Sequence, residues 1–370
     1  MTPDVPPILC DVPGSFPWQV FHDRHPKVVA QLKTGHPYPA GHQRALDDLL
    51  AETLTGPVRP LPAAAPDHAA WQEWGDPFLG RPWTDLPFLW AECYFHRRLL
   101  EAVSYFEPGP WYRLDPFQPL KSAELTDVDA PAEGLEALLV AAVWGNRADL
   151  GFRLQLTAAH ASAAEGGLVA DASADVADAL RTGDRRRIAV ITDNAGRELL
   201  ADLLLVDHLV ETGLTGEVVL HVKPHPYFVS DATVADVLAC VEHLEKVGDA
   251  GPRLRQAIAD GRVRLYTHWF YTAPFDFHHL PPDLAEELAA GSLTVVKGDL
   301  NYRRLVSDRH WPPTTPFADT TRYFPSPVVA LRTLKSDVVV GLHGSTVSTL
   351  DASTPSWRVD GRHGLVQARL

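Results

Sequence analysis

Five short runs of β-branched and apolar residues recur through the second half of this 370-residue chain, at 188–192, 217–222, 263–266, 293–296 and 337–340. Helix patterns lie between most of them, at 196–209, 232–247 and 281–288. Strands alternating with helices build βαβ units, and these give an α/β fold around a mostly parallel sheet. The first half has a different period. Leu46, Leu49, Leu50 and Leu54 share a helical face within 43–54. A longer helix is expected over 85–106, carrying Leu89, Ala91, Cys93, Tyr94, Leu99 and Leu100. Another is expected over 132–150, with Leu135, Leu138, Leu139 and Ala142 on one face. Proline-rich stretches at 58–66 and 106–119 separate these helices, because proline breaks helix and ladder alike. The period changes near 158–173, an Ala/Gly/Ser-rich stretch read as an exposed excursion.

The function classes are narrowed by charge and cysteine usage. A formal charge of −14 argues against a nucleic-acid partner, which needs a basic face, but leaves room for a local basic pocket. No apolar run reaches membrane-spanning length, so no membrane partner is expected. Cys10, Cys93 and Cys240 are odd in number and widely spaced, which suits a reducing cytoplasm better than a disulfide framework or thiolate zinc site. The start, Met1 to Pro7, lacks the basic and apolar regions of a signal peptide.

Candidate chemistry gathers where the expected strands stop. After 188–192 come Asp193 and Asn194, then Gly196 and a helix pattern. Strand, polar turn and helix is the arrangement by which an α/β sheet presents a ligand site at the carboxyl ends of its strands. An acid and an amide offer hard oxygen ligands, suited to Mg²⁺ or Mn²⁺ rather than Zn²⁺. The next expected strand leads through Lys223, Pro224, His225 and Pro226 to Ser230 and Asp231. If the two strands are neighbours, Asp231 adds a third oxygen donor to the same crevice. The alternative is that Ser230 or Asp231 only caps the following helix.

A third polar segment, Lys297-Gly298-Asp299-Leu300-Asn301-Tyr302-Arg303-Arg304, follows the run at 293–296. Its cations suit a phosphate, and its acid and amide suit sugar hydroxyls; alternatively it is a plain turn with Asp299 as cap. Arg332-Thr333-Leu334-Lys335 is read as preceding a strand at 337–340, and as either phosphate-binding cations or a surface ion pair. Glu92 and Asn146, from the helical half, either close the site or tie helix to sheet. His221, His225, His268, His278 and His279 show no metal-ligand spacing and are read as structural or surface residues. No nucleophile elbow, Walker loop or dinucleotide glycine pattern occurs, which removes the serine hydrolase, P-loop and dinucleotide readings.

At these residues the chain resembles the metal-dependent damage-control phosphatases, in the branch also described as acidic-residue (protein-glutamate) methyltransferases. The resemblance runs from Gly14-Ser15-Phe16 and Asp23-Arg24-His25-Pro26 through Ala91-Glu92-Cys93-Tyr94, Arg97-Arg98, Trp144-Gly145-Asn146 and Asp149-Leu150. It continues through Asp193-Asn194-Ala195-Gly196, Phe228-Val229-Ser230-Asp231, 297–303 and 332–335, and ends near Pro355-Ser356-Trp357. It implies a three-layer α/β/α sandwich with a mostly parallel sheet. A helical N-terminal subdomain at 1–157 would pack as one unit with an α/β phosphatase domain at 174–370. It implies that Asp193, Asn194 and Asp231 ligate a divalent metal, Mn²⁺, Co²⁺, Ni²⁺ or Mg²⁺. Asp299, Leu300, Asn301, Tyr302, Arg303 and Glu198 would bind the substrate, and Lys335 would bind its phosphate. Arg197 fills the variable position before Glu198.

The expected activity is therefore metal-dependent hydrolysis of small phosphorylated metabolites, sugar phosphates such as fructose 1-phosphate or fructose 6-phosphate. Asp193, Asn194, Asp231 and Lys335 would be its catalytic groups. A second reading is an S-adenosylmethionine-dependent protein carboxyl O-methyltransferase, in which Glu198 and Asp231 touch the cofactor. A third is a non-enzymatic sugar-phosphate binding protein. The single glycine at 196 gives the second reading little support, and the intact polar set argues against the third.

Overall fold

A computed structural model describes residues 5–125, 134–145, 167–183 and 187–370. Asn146, Asp149, Leu150 and residues 158–166 lie outside them. Among the described residues seven strands form one sheet: β1 (Leu168–Asp171), β2 (Ile188–Ile191), β3 (Val218–Val222), β4 (Val263–Thr267), β5 (Leu293–Lys297), β6 (Val328–Thr333) and β7 (Gly364–Arg369). Their order is β1-β7-β6-β5-β2-β3-β4. The five strands from β6 to β4 are mutually parallel. β7 runs antiparallel to β6, and β1 is parallel to β7.

Alternation along the strands divides the interior into two cores. Ile188 and Val190 of β2, Leu293 and Val295 of β5, and Val329 and Leu331 of β6 face one core. It is closed by helices Leu135–Gly145, Ser173–Thr182, Arg197–Glu211, Val234–Val247 and Ala250–Ala259. Ala189, Ile191, Val296, Val328 and Ala330 face the other. There they meet the first half of the chain, including helices His25–Gly35, Ala40–Thr55 and Phe88–Ala102, together with helices Pro282–Ala289 and Asp299–Val306. Side chains pointing alternately to two helical layers make this a three-layer α/β/α fold. Both faces being covered also explains why β2 reads as an unbroken apolar run, and why β3 and β5 are broken only by His221 and by Thr294 and Lys297.

The chain leaves β2 through the Arg197–Glu211 helix on one face and leaves β5 through the Asp299–Val306 helix on the other. β2 and β5 are neighbours, so strand order reverses between them. A doubly wound sheet opens its crevice at that switch point, outside the carboxyl ends of the strands. Asp193 leaves β2 and Asp299 leaves β5 at this place.

The expected strand at 337–340 is corrected: this segment is not a strand, and the strand is β6, just before it. The three valines Val338, Val339 and Val340 are buried, but side chains satisfy much of the backbone there. Arg332 donates to the Val338 carbonyl. Tyr302 Oη accepts from Val340 N at 3.2 Å, and Gln367 Nε2 donates to the Val340 carbonyl at 2.7 Å. Arg332 and Thr333 therefore lie inside β6, and Lys335 follows its carboxyl end. The stretch at 158–173 also needs correction at its end, because Leu168–Asp171 forms the edge strand β1.

Candidate active site

The loops after β2 and β3 are fastened together. Asn194 and Asp231 form an antiparallel bridge. Ala195 N donates to the Ser230 carbonyl at 2.7 Å, and Ala232 N donates to the Asp193 carbonyl at 2.8 Å. Asp193, Asn194 and Asp231 thus reach one cleft while only 3–5 % exposed. The same cleft is lined by Phe16, Arg24, Glu92, Phe228, Val229, Ser230, Asp299, Leu300, Arg303 and Lys335.

Capping does not account for Asp231. The Val234–Val247 helix is capped by Thr233, whose side chain forms a reciprocal capping box with Asp236. Asp231 instead meets Lys223 Nζ through Oδ2 at 3.0 Å, and its carbonyl accepts from Lys121 Nζ at 2.8 Å. Lys121 is itself held at 2.9 Å by both Asp115 and Asp236. A buried lysine from the first half of the chain therefore sets the height of the Asp231 loop. Asp299 is not a cap either, since Gly298 occupies the N-cap position of its helix. Asp299 accepts from Arg332 Nε at 2.8 Å and from Lys335 N at 3.0 Å. Burial raises the Asp299 pKa, but Arg332 and Arg303 outweigh it and hold the carboxyl below its usual value.

Asn194 carries the most definite geometry. Its Nδ2 donates to Asp193 Oδ2 and to Glu198 Oε2, both at 2.9 Å, and its Oδ1 accepts from Ser230 Oγ at 2.6 Å. Glu198 is fully enclosed behind it and does not line the cleft. Lys297 lies 3.3 Å from Glu198 Oε1 and 2.9 Å from Asp202. Burial works against charge on Lys297, yet Asp202 and Glu198 overcome it and keep its pKa above the ordinary lysine value. Burial, with the neighbouring Glu198, pushes the Asp202 carboxyl up to about 7 against the pull of Lys297.

The segment after β5 splits by helical periodicity. Asp299, Leu300 and Arg303 line the cleft, whereas Asn301 and Tyr302 lie fully buried beneath it. Asn301 Nδ2 donates to the carbonyls of Thr192 and Lys297, each at 2.9 Å, which ties the ends of β2 and β5. Tyr302 Oη donates to Gln367 at 2.9 Å, and Arg332 stacks 4.3 Å from its ring. Arg303 spends its fork on Asp308, at 2.8 and 2.9 Å, and gives NH1 to Glu92 at 2.8 Å. Glu92 lines the cleft, and through Arg303 it ties the Phe88–Ala102 helix to the Asp299–Val306 helix rather than to the sheet itself. Burial raises its pKa, opposed by Arg303 and Arg24.

Phe16, Arg24, Phe228 and Lys223 carried no expected role. The first three meet Phe88, Glu92 and His96, all remote in sequence, and only the sequence resemblance flagged them; Lys223 meets Asp231 within its own loop. Phe228 is notable because its φ of 49° is costly for a bulky residue, and such strain concentrates at functional sites. Chemically, the cleft brings two carboxylates and one amide oxygen, all hard donors, together with the cations Arg24, Arg303 and Lys335. Among the described residues no cluster of three acidic, histidine or cysteine side chains forms a metal cage. The donor set fits a cation that takes oxygen ligands, keeps waters and leaves positions open to a substrate.

A family model described as "Damage-control phosphatase ARMT1-like domain" matches residues 20–350. Mouse Damage-control phosphatase ARMT1 is 29 % identical, with 96 % of each chain covered. The Xenopus laevis protein of the same name is 28 % identical, again with 96 % of each covered. The human one is 29 % identical over 77 % of this chain and 75 % of its own. A DUF89 family protein from Pyrococcus horikoshii superposes with a TM-score of 0.46 and 13 % identity, covering 88 % of this chain and 96 % of its own. With a match over most of its length, the chain belongs to the ARMT1-like damage-control phosphatase family.

Proposed function

We propose that this protein is a metal-dependent phosphomonoesterase acting on small phosphorylated metabolites, with sugar phosphates such as fructose 1-phosphate or fructose 6-phosphate as its substrate class. The observation that carries this reading is the pairing of two walls in one cleft. Asp193, Asn194 and Asp231 offer oxygens from the loops after β2 and β3, and Lys335 and Arg303 bring positive charge from beyond β6 and β5. A divalent cation held by the oxygen wall would neutralise phosphoryl oxygens and orient the reacting group.

This chain's own residues supply the rest. Lys335 follows β6, and its backbone is fixed by Asp299, which aims the side chain from a rigid support. It stabilises the charge that spreads over the transferred group, the main demand of a loose phosphoryl transition state. Arg303 holds its wall through Glu92 and Asp308 and adds charge to the cleft without being released from them. Asp299 stands among these groups as an acceptor for a sugar hydroxyl. Phe16 and Phe228 screen water from the reacting centre. The methyltransferase reading gains nothing from the geometry, because Glu198 faces Asn194 and Lys297 rather than the cleft.

The test is hydrolysis of a generic aryl phosphate with Mn²⁺ supplied, followed by a panel of sugar phosphates. Activity should require the metal, and Asp193→Ala should abolish it. Substantial turnover by that variant at saturating Mn²⁺ would sink the assignment.

A further inference from the structure

Asparagine is an awkward metal ligand because its two ends have opposite character. The oxygen attracts a cation, and the NH₂ group repels it. A 180° rotation about the last bond exchanges them with almost no change in shape. In this cleft the choice is made by what lies behind Asn194. Its Nδ2 faces two carboxylates, Asp193 Oδ2 and Glu198 Oε2, each at 2.9 Å, while its Oδ1 faces the Ser230 hydroxyl at 2.6 Å. The reversed amide would set an oxygen against two carboxylate oxygens, so charge alone selects this orientation.

Glu198 does not line the cleft, and it is 2 % exposed. A carboxylate sealed away like this is expensive unless it is paired. Lys297, at the end of β5, supplies the pairing at 3.3 Å, and it is anchored in turn by Asp202 at 2.9 Å and by the Ala142 carbonyl. Glu198 and Asp202 stand one turn apart on the Arg197–Glu211 helix, so Lys297 joins that helix to the sheet beside the switch point.

Resting on the metal reading above, we propose that Glu198 is a positioning residue. It holds the Asn194 amide with its oxygen turned to the cation, and Lys297 with Asp202 keeps its carboxylate in place. Its role is to set cation affinity through Asn194, with no contact to substrate.

The experiment is Mn²⁺ titration by calorimetry on the metal-stripped full-length protein, carried through a two-residue cycle. Glu198→Ala should weaken Mn²⁺ binding roughly 10- to 100-fold, the usual cost of removing a group that orients a ligand. A carboxylate at 194 has two equivalent oxygens and needs no orienting. In the Asn194→Asp background, Glu198→Ala should therefore leave Mn²⁺ affinity unchanged or raise it by relieving like-charge repulsion. An equal loss in both backgrounds would show a general structural effect and overturn the proposal. Unchanged affinity in the Asn194 background would overturn it too. If circular dichroism shows that Glu198→Ala does not fold, Glu198→Gln run through the same cycle discriminates equally, with a smaller loss confined to the Asn194 background. Wild-type protein that binds no Mn²⁺ overturns the metal reading itself, and does so before any variant is made.

Discussion

Gly298 lies so close to Asp193 that a Cβ built on it would fall 1.8 Å from the carboxylate Oδ2. Its φ of 82° is a conformation that L side chains adopt only at a cost of about 1 kcal/mol or more. Gly298→Ala therefore strains the backbone and also displaces the proposed ligand. Phosphatase kcat/KM should fall by roughly 100-fold, the scale of a 1 Å misplacement. Gly261→Ala separates the two effects, because Gly261 has a similar φ of 76° and nothing within 4 Å of the added carbon. That control should lose some resistance to urea and keep its activity. Equal activity losses in the two variants would show that crowding of Asp193 is not the cause.

Lys335 reaches the cleft from beyond β6, whereas the oxygen donors come from the loops after β2 and β3, so its removal should affect the phosphate and not the cation. Lys335→Ala should lower kcat/KM for an aryl phosphate by roughly 100- to 1,000-fold, as loss of one charge-stabilising group typically does. Mn²⁺ affinity by calorimetry should stay within error of wild type. Retention of more than a tenth of the wild-type kcat/KM would mean that the other cations of the wall carry the transition state without it.

How legible these relationships were in the sequence depended on whether partners were local. Asp193, Asn194 and Asp231 stood out because each follows a strand buried on both faces, whose apolar run marks its own end. β6 was hidden because Pro325 and Pro327 crowd its start and it finishes on Arg332 and Thr333, while the valines at 338–340 imitate a strand. Nothing local reveals that their hydrogen bonds go to Arg332, Tyr302 and Gln367. β7 opens with Gly364 and includes Gln367 and Arg369, a weak pattern for an isolated reading. The role of Lys121 beneath Asp231 depends on a contact made only when the first half closes over the sheet.

The pair between Arg303 and Glu92 is one of those long-range closures, joining residues 211 positions apart at 2.8 Å. Both are buried, and without Glu92 the Arg303 NH1 loses its carboxylate acceptor while Asp308 keeps the other two nitrogens. Glu92→Ala should destabilise the protein by about 1–3 kcal/mol, the usual cost of leaving a buried donor unsatisfied. Glu92→Gln keeps an acceptor for NH1 and should cost clearly less. Urea unfolding measures both; a loss below about 1 kcal/mol for Glu92→Ala would show that Asp308 alone suffices to hold Arg303.

His25 and His96 should make the fold sensitive to acid. Burial holds both imidazoles well below their usual pKa, helped at His25 by His96 and Arg24 and at His96 by Arg24. His25 stacks on Phe95 at 3.6 Å, and His96 stacks at 4.4 Å on Phe228 of the cleft wall. His221, lowered to about 3 by burial and by Arg264 and Arg187, behaves alike. In the unfolded chain each ring takes a proton near pH 6.5. Below that value the unfolded state binds protons that the folded state refuses, so stability falls as the pH drops. Above it both states are neutral at these rings and their contribution is fully present. Each ring contributes a slope of about 1.4 kcal/mol per pH unit. Urea midpoints should hold level between pH 8 and 7 and decline between pH 6 and 5. His25→Phe and His96→Leu should each flatten the decline by one ring's share. If both variants keep the wild-type slope, other groups control the acid response.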